Sequence, residues 1–254
     1  MQMQKAVNKK ICNLAEGLLR NAKQVSPRFD ENIIHQLRTS FKKLRALLRW
    51  QNNNKKILKP VKEIYDIAGE IRNAQIVLKN TIATKNELPE FFAWLDSSIN
   101  HYKGEWGKIF QPKVLNTLLK KIKKVKVKEE FNRFFFSKRI KKIKRLLQAS
   151  FISDDTLHEI RKMIKDMQYV SELFQKINKE KNGYSKKNKD IKYLSEVLGE
   201  YIDKYVELIL LQTYRMNEKN KTVLKRIIQV QQNWEHEKDA QKKQLVKLVK
   251  GKIT

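Results

Sequence analysis

The sequence predicts an all-α protein, and three observations lead to this prediction. Only 7 Gly and 4 Pro occur in 254 residues, so turn-forming positions are few. Hydrophobic residues make up 41% of the chain, which is enough to build a core and excludes a disordered basic tail. The stretch from Ile34 to Trp50 places its apolar residues at helical spacing. Long helices are therefore favoured over strands.

The stretch Ile34 to Trp50, IHQLRTSFKKLRALLRW, has two distinct faces when wound at about 100° per residue. The apolar face consists of Ile34, Leu37, Phe41, Leu44 and Leu48. The second face begins with a histidine and continues with cations only: His35, Arg38, Lys42, Arg45 and Arg49. Like charges at this spacing repel each other and weaken a helix. Because the stretch contains no acid, this face favours a polyanion-binding surface over an ordinary solvated one.

The same pattern occurs again from Leu157 to Phe174, LHEIRKMIKDMQYVSELF. A gapless alignment of the two stretches pairs His158 with His35, Arg161 with Arg38 and Lys165 with Lys42. The second copy is less basic than the first, because it has Asp166 in place of Lys43 and Gln168 in place of Arg45.

A second shared feature follows each copy. The segment AGEIRNAQIVL (68–78) resembles LGEYIDKYVEL (198–208), with Gly69 opposite Gly199 and Asn73 opposite Asp203. A glycine inside a helix is unfavourable by roughly 1 kcal/mol relative to alanine, so both are predicted to permit close packing. Two shared features in the same order predict an internal duplication.

The H-x-x-R-x-x-x-K helix, present twice and followed each time by a glycine–glutamate segment, resembles the CHAD family, named for its conserved histidines in an α-helical domain. The resemblance covers the chain from about Ile11 to about Trp234. It implies two pseudo-symmetric four-helix bundles in one domain over 1–254, with repeats of about 1–125 and 126–254. It also implies that facing basic surfaces enclose a channel for inorganic polyphosphate, without known catalysis. This sequence departs from the family at Asn73, Asp166 and Gln168, which predicts unequal halves.

The candidate ligand-binding residues are those of the two cationic faces and one neighbour: His35, Arg38, Lys42, Arg45, Arg49, Arg72, His158, Arg161 and Lys165. Weaker candidates, on helices expected to pack beside them, are Arg20, Lys62, Lys142 and Lys192. Arginine forks and lysine charges suit phosphate oxygens, and the histidines are expected to donate hydrogen bonds. A nearby phosphate should raise the pKa of both histidines.

The charge balance limits the class of partner. Lys and Arg outnumber Asp and Glu by 56 to 27, for a net charge of +29. Such a charge suits polyphosphate, RNA or an anionic surface. RNA recognition calls for aromatics among the exposed cations, but Phe41 and Trp50 are predicted on the apolar side. A structural protein that associates with polyphosphate or storage granules is a third interpretation.

Other functional classes lack a supporting pattern. Cys12 is the only cysteine, so no internal disulfide is expected. No histidine pair has i,i+4 spacing, and neither a metal site nor another cofactor is predicted. No catalytic motif is present, so we expect no enzyme activity. The sequence lacks a signal peptide's apolar core and an apolar window of membrane-spanning length, which predicts a cytoplasmic protein without a transmembrane segment.

Capping and proline positions predict the helices in order. Those of the first half run from about Lys5 to Gln24 with Ser26-Pro27 as the end, from the N-cap Asp30 to Gln51, from Lys56 to Thr84, from Pro89, and from Pro112. A connection at Lys120 to Lys128 leads to the second half. Its helices are predicted at Phe131 to Ala149, after Asp154 or Asp155 as N-cap, at Ile191 to Met216, and at Lys219 to Val249, with a loop at Lys179 to Asp190.

Overall fold

The computed structural model describes residues 2–51, 55–125, 134–178 and 185–253. In these ranges the chain forms nine α-helices and no strand, which confirms the all-α prediction. The helices are α1 (Gln2–Arg28), α2 (Glu31–Trp50), α3 (Lys62–Asn80), α4 (Pro89–Ile109), α5 (Pro112–Lys123), α6 (Phe135–Leu147), α7 (Asp154–Asn178), α8 (Ser185–Asn217) and α9 (Lys221–Ile253). No helix in the described ranges is long and apolar enough to cross a membrane.

The helix starts follow local capping chemistry. The Asp30 carboxylate accepts hydrogen bonds from the backbone N–H groups of Asn32 at 2.8 Å and Ile33 at 3.1 Å, which confirms the predicted cap of α2. The predicted cap of α7 was wrong. Ser153 Oγ accepts from the Thr156 N–H at 3.1 Å, so Asp154 and Asp155 lie within the first turn. Serine caps a helix as well as aspartate does, and Ser153 directly precedes the two aspartates.

The predicted third helix, Lys56 to Thr84, is α-helical only in its central part, Lys62–Asn80. A 3₁₀ helix, Lys55–Val61, contains Pro60 and precedes α3, and a second one, Ile82–Thr84, follows it. Proline lacks an N–H group and disfavours α-helical geometry in the residue before it, so the regular helix starts only after Pro60. The two other prolines predicted to open helices do so, because α4 and α5 begin at Pro89 and Pro112.

Several helices are longer than predicted. α1 continues one residue past Pro27, to Arg28, and α9 continues to Ile253. Part of the predicted connection is helical, because α5 runs to Lys123; residues 126–133 lie outside the described part. The predicted loop is helical from Ser185 onward, and residues 179–184 lie outside the described part.

The candidate site is positioned by the contact of α2 with α7. The predicted apolar face of α2 is buried, and so are the apolar residues of α7 that align with Ile34, Leu37, Phe41, Leu44 and Leu47: Leu157, Ile160, Ile164, Met167 and Val170. α2 packs on α1, α3 and α7, while α7 packs on α6 and α8, and α3 also contacts α8. Trp50 of α2 meets Phe174 of α7 edge-on, with ring centroids 5.0 Å apart. The two motif helices, α2 and α7, therefore pack directly against each other although they are far apart in the sequence.

Candidate functional site

Arg38 is held on α2 by groups from α3. Its Nη1 donates a hydrogen bond to the Tyr65 carbonyl oxygen at 2.9 Å, and its guanidinium lies 4.6 Å from the Tyr65 ring centroid. A Cβ atom on Gly69 would overlap Nη1 of Arg38 and lie 3.1 Å from Cζ. Gly69 therefore makes room for the guanidinium beside the α3 backbone, which accounts for the glycine within this helix.

Arg161 of α7 has the corresponding position in the second half. A Cβ atom on Gly199 of α8 would lie 3.5 Å from Arg161 Nη2, an ordinary van der Waals contact. The Nε atom of Arg161 is buried and has no hydrogen-bond partner within the protein. Each half thus places the arginine of its motif helix on the glycine of a following helix. The second contact is looser, and its arginine keeps an unused donor.

Lys42 lies at the centre of the cations that the two helices bring together. Burial lowers the pKa of Lys42 to about 7, assisted by the charges of Arg38, Arg161, Arg45 and Lys165. These neighbours come from α2 and from α7, and all of them are positive. The tertiary fold therefore concentrates the predicted cations from both motif helices around one half-buried lysine.

Both motif histidines adjoin this cluster. Burial lowers the pKa of His35, and the charges of Arg72, Lys42 and Lys165 lower it further. Burial lowers the pKa of His158 to about 4, with Lys162, Arg161 and Lys42 as the neighbouring charges. Both shifts favour the uncharged form of the ring in the absence of ligand. The predicted rise in histidine pKa refers to a phosphate-bound state and remains a prediction.

Aromatic rings lie against several of these cations. Phe41 stacks on Tyr65 with ring centroids 4.2 Å apart, and the Arg45 guanidinium lies 5.8 Å and 5.9 Å from these two rings. The Nζ atoms of Lys43 and Lys165 lie 5.5 Å and 5.8 Å from the ring centroid of Tyr169 on α7. Phe41 and Trp50 are buried, which confirms that they lie on the apolar side of α2. Tyr65, which contacts Arg38 and Arg45, was missed in the sequence because it lies outside the motif.

Two of the predicted site residues are already paired with acids. Arg49 Nη1 lies 2.8 Å from Asp166 Oδ2, and Arg72 forms an ion pair with Glu31. Arg72 still contributes to the field at His35, whereas Arg49 points to the acid-bearing part of α7. The arrangement therefore brings together His35, Arg38, Lys42, Arg45, Arg72, His158, Arg161 and Lys165.

The four weaker candidates lie in ordinary surface environments. Lys62 pairs with Asp66 on its own helix, Lys142 pairs with Glu159 at 2.5 Å, and Lys192 lies 3.9 Å from Glu196. Arg20 is exposed on α1. Such exposed pairs contribute little to stability and are readily screened by salt. Nothing in their geometry directs these side chains to the cluster around Lys42.

Two charged residues of the site were missed. Lys162 lies beside His158 and Arg45, and burial and Arg45 lower its pKa. Its aligned residue in the first copy is Thr39, so the repeat concealed it. Asp203 of α8 faces the cluster; burial raises its pKa, while Arg161, Arg72 and Lys42 lower it. The pairing of Asn73 with Asp203 in the two segments was the signal that could have drawn attention to this acid.

The described residues contain no group of three His, Cys, Asp or Glu side chains that could hold a metal ion. The carboxyl of Asp203 faces the cluster around Lys42, which presents guanidinium, ammonium and imidazole groups. Such groups bind anionic oxygens by charge-assisted hydrogen bonds.

The fold and the cluster define an all-helical protein with a group of cations where α2 packs against α7. The family model described as the CHAD domain matches residues 11–212, and the chain belongs to this family. The chain is also similar to the crystal structure of the CHAD domain from the plant Ricinus communis, with a TM-score of 0.73 and 17% identity over 98% of this chain and 91% of that one. This likeness shows the shared fold. No curated protein matches the chain significantly.

Proposed function

We propose that the protein binds inorganic polyphosphate, without catalysing a reaction, in the site formed by α2 and α7. The observation that carries the proposal is the environment of Lys42, where Arg38 and Arg45 of α2 and Arg161 and Lys165 of α7 all lower the lysine pKa, which falls to about 7. The cations of this cluster outnumber the one acid described as facing it, Asp203, and a chain of phosphates would supply further negative charge. Membership of the CHAD family, which is associated with polyphosphate binding, supports the same ligand.

The side chains have distinct parts in this proposal. Arg38, Arg45 and Arg161 bind phosphate oxygens through planar forks, and the unused Nε donor of Arg161 suits this. Lys42 and Lys165 act as compact charges. The histidines take up protons as the phosphates approach and then donate hydrogen bonds from imidazolium rings.

Polyphosphate is favoured over RNA by the position of the aromatic rings. RNA and other single strands are recognised by stacking bases on accessible aromatic side chains. In this site Phe41 is buried, and its ring is covered by Tyr65, against which Arg38 and Arg45 lie. The exposed aromatics of the described part, Phe134, Phe151 and Tyr193, lie outside α2 and α7. We further propose a cytoplasmic location, which is compatible with association with polyphosphate or storage granules.

A competition experiment tests the proposal. Labelled long-chain polyphosphate is bound to the purified protein and challenged with RNA of equal phosphate content, at two salt concentrations. The double variant His35→Ala/Arg38→Ala is compared with the control His101→Ala/Lys108→Ala. The control also replaces one histidine and one cation by alanine, but on α4. We expect steep salt dependence, poor competition by RNA, and loss of affinity only in the first variant.

Two results would contradict the proposal. If RNA displaces the label phosphate for phosphate and both double variants bind equally, the cations form a generic basic surface and nucleic-acid binding replaces polyphosphate binding. If binding barely changes between the two salt concentrations, the electrostatic basis is wrong. Circular dichroism of each variant shows whether the helices remain intact.

A further inference from the structure

Asp166 is a buried acid at the contact between the two motif helices. Its Oδ2 accepts hydrogen bonds from Arg49 Nη1 at 2.8 Å and from Arg139 Nη2 at 3.1 Å. The Asp166 side chain is 6% exposed, whereas those of Arg49 and Arg139 are 27% and 18% exposed. One carboxylate is thus enclosed by two guanidinium groups that both still reach solvent.

Arg49 continues the row of cations that begins at Lys42. Burial lowers the pKa of Lys162, and the charges of Arg45 and Arg49 lower it further, so both arginines lie close to this lysine. Arg139 of α6 lies on the far side of Asp166, with its guanidinium 3.4 Å from the Phe135 ring centroid. Without the carboxylate, the cationic row would run on from Arg45 through Arg49 to Arg139.

A second ion pair shows that this acid belongs to a reciprocal arrangement. Lys43 Nζ of α2 lies 3.5 Å from Glu172 Oε2 of α7. In the gapless alignment of the two stretches, Lys43 corresponds to Asp166 and Arg49 to Glu172. Both ion pairs therefore join the same two positions, once in each direction across the helix contact. The first copy is basic at both positions and the second copy is acidic at both.

We propose that Asp166 is a specificity-determining residue that ends the polyphosphate site by holding Arg49 and Arg139. The inference rests on the proposed function and adds where the bound chain stops. Asp166 occupies donors that would otherwise bind phosphate oxygens, and its negative charge repels a phosphate that approaches them. The carboxylate thereby limits how many phosphates the site contacts, while the cluster around Lys42 binds the rest of the chain.

The test compares Asp166→Asn with Glu105→Gln, which also removes one carboxylate. Glu105 is suitable as a control because it pairs with Lys108 on the surface of α4, 2.6 Å away. Polyphosphate affinity is measured across a series of salt concentrations. We expect Asp166→Asn to bind about tenfold more tightly at low salt, with a salt slope steeper by about one to two released counterions. Glu105→Gln should leave the slope unchanged.

A second pair of variants tests the inference even if Asp166→Asn does not fold. Because Arg49 is occupied by Asp166, Arg49→Gln should change wild-type affinity by less than about twofold, whereas Arg45→Gln should reduce it by about tenfold. Equal losses in these two variants would overturn the inference. The inference is also overturned if a folded Asp166→Asn protein behaves like Glu105→Gln.

The wild-type measurement separates this inference from the function on which it rests. If the wild type does not bind polyphosphate, the proposed function is wrong and the inference falls with it. If the wild type binds polyphosphate but Asp166→Asn shows no change of slope, only the inference is overturned, and Asp166 serves to hold α2, α6 and α7 together.

Discussion

The two motif helices begin alike and then diverge in charge. α2 carries cations along its whole functional face, whereas α7 carries His158, Arg161 and Lys165 and then turns acidic at Asp166 and Glu172. The acids of α7 pair with Arg49 and Lys43 of α2. The two stretches thus share one pattern but differ in charge. α2 presents His35 and cations along this face, whereas α7 presents cations together with the acids of the two ion pairs that join the helices.

The physical reason for this division is self-repulsion. A second helix as basic as α2, packed against it, would add like charges in a partly desolvated space. The acid of the Arg49–Asp166 pair is buried, whereas both side chains of the Lys43–Glu172 pair are about one-third exposed, and neither kind of pair contributes much net stability. Acids at these two positions of α7 reduce repulsion at one part of the contact, while the acid that faces the cluster around Lys42 is Asp203 of α8. The following predictions test this comparison between the helices.

The largest effect is expected from Lys42→Met compared with Lys165→Met. Lys42 has cations as its main electrostatic neighbours, whereas Lys165 Nζ donates to Gln168 Oε1 at 3.2 Å and is affected by Glu172 and Glu196. We expect Lys42→Met to lower polyphosphate affinity by about 10- to 100-fold, and Lys165→Met by less.

The same variants should differ in thermal unfolding without ligand. Lys42→Met removes a buried charge that its neighbours repel, so its melting temperature should rise while its affinity falls. Binding is measured by titration and stability by scanning calorimetry. If Lys165→Met lost as much affinity as Lys42→Met, the two halves would contribute equally and the comparison drawn here would be wrong.

The two glycines should respond differently to the same substitution. In Gly69→Ala the new Cβ overlaps Arg38 Nη1, so the guanidinium must leave its hydrogen bond to Tyr65, and affinity should fall by about tenfold. In Gly199→Ala the new Cβ meets Arg161 at an ordinary distance of 3.5 Å. Affinity should then hardly change, and stability should rise by about 0.5–1 kcal/mol from the helix preference of alanine. Equal losses of affinity in both variants would contradict the structural difference.

Affinity for polyphosphate should also depend on pH, because Lys42 titrates near neutral pH. The pKa of Lys42 is about 7 in the free protein, and a bound polyanion favours its charged form. At pH 6 the lysine is already protonated, but at pH 8 binding must be accompanied by proton uptake. Affinity should therefore fall several-fold as pH rises from 6 to 8, and Lys42→Met should flatten this dependence. Calorimetry in buffers of different ionisation enthalpy measures the uptake directly.

The same pKa makes a prediction for the unliganded protein. The pKa of Lys42 is lower in the folded chain than its unfolded value of about 10.4, so the unfolded chain binds more protons above pH 7. Below about pH 7 the charged Lys42 therefore destabilises the fold by its full amount, and this destabilisation is lost as pH rises from about 7 to about 10. Denaturant unfolding of wild type and Lys42→Met at several pH values isolates this contribution. An identical pH dependence for the two proteins would contradict it.

The smallest effect is expected from Asp203→Asn. Asp203 is a half-buried acid facing Arg161, Arg72 and Lys42, and the first half has Asn73 at the aligned position. Removing its charge should raise the local positive potential, so that affinity for polyphosphate increases a few-fold. Because burial raises the pKa of Asp203, its charged form is disfavoured in the fold, and stability without ligand should rise at neutral pH. Titration and thermal unfolding measure the two changes. Weaker binding would show instead that Asp203 holds its arginine and lysine neighbours in place.

The sequence predicted much of the fold because the relevant signals are local. Helical spacing, the Asp30 cap and the prolines at positions 89 and 112 each act within a few residues. The errors arose where two local signals competed, as at Ser153 and Asp154, or where Pro60 stopped a helix that the apolar pattern would have continued. The resemblance to the CHAD family was also visible in the sequence, and the family match confirms it.

The sequence by itself determined that α2 has an apolar face and an acid-free cationic face, and that α7 repeats this pattern with fewer positive charges. Only the tertiary structure decided which cations stay without a neutralising acid. Arg49 and Asp166 are 117 residues apart in sequence, and Lys162 joins the site although its aligned residue is Thr39. Coulombic interactions depend on distance and burial, so the packing of α2 against α7 sets the charge of the site.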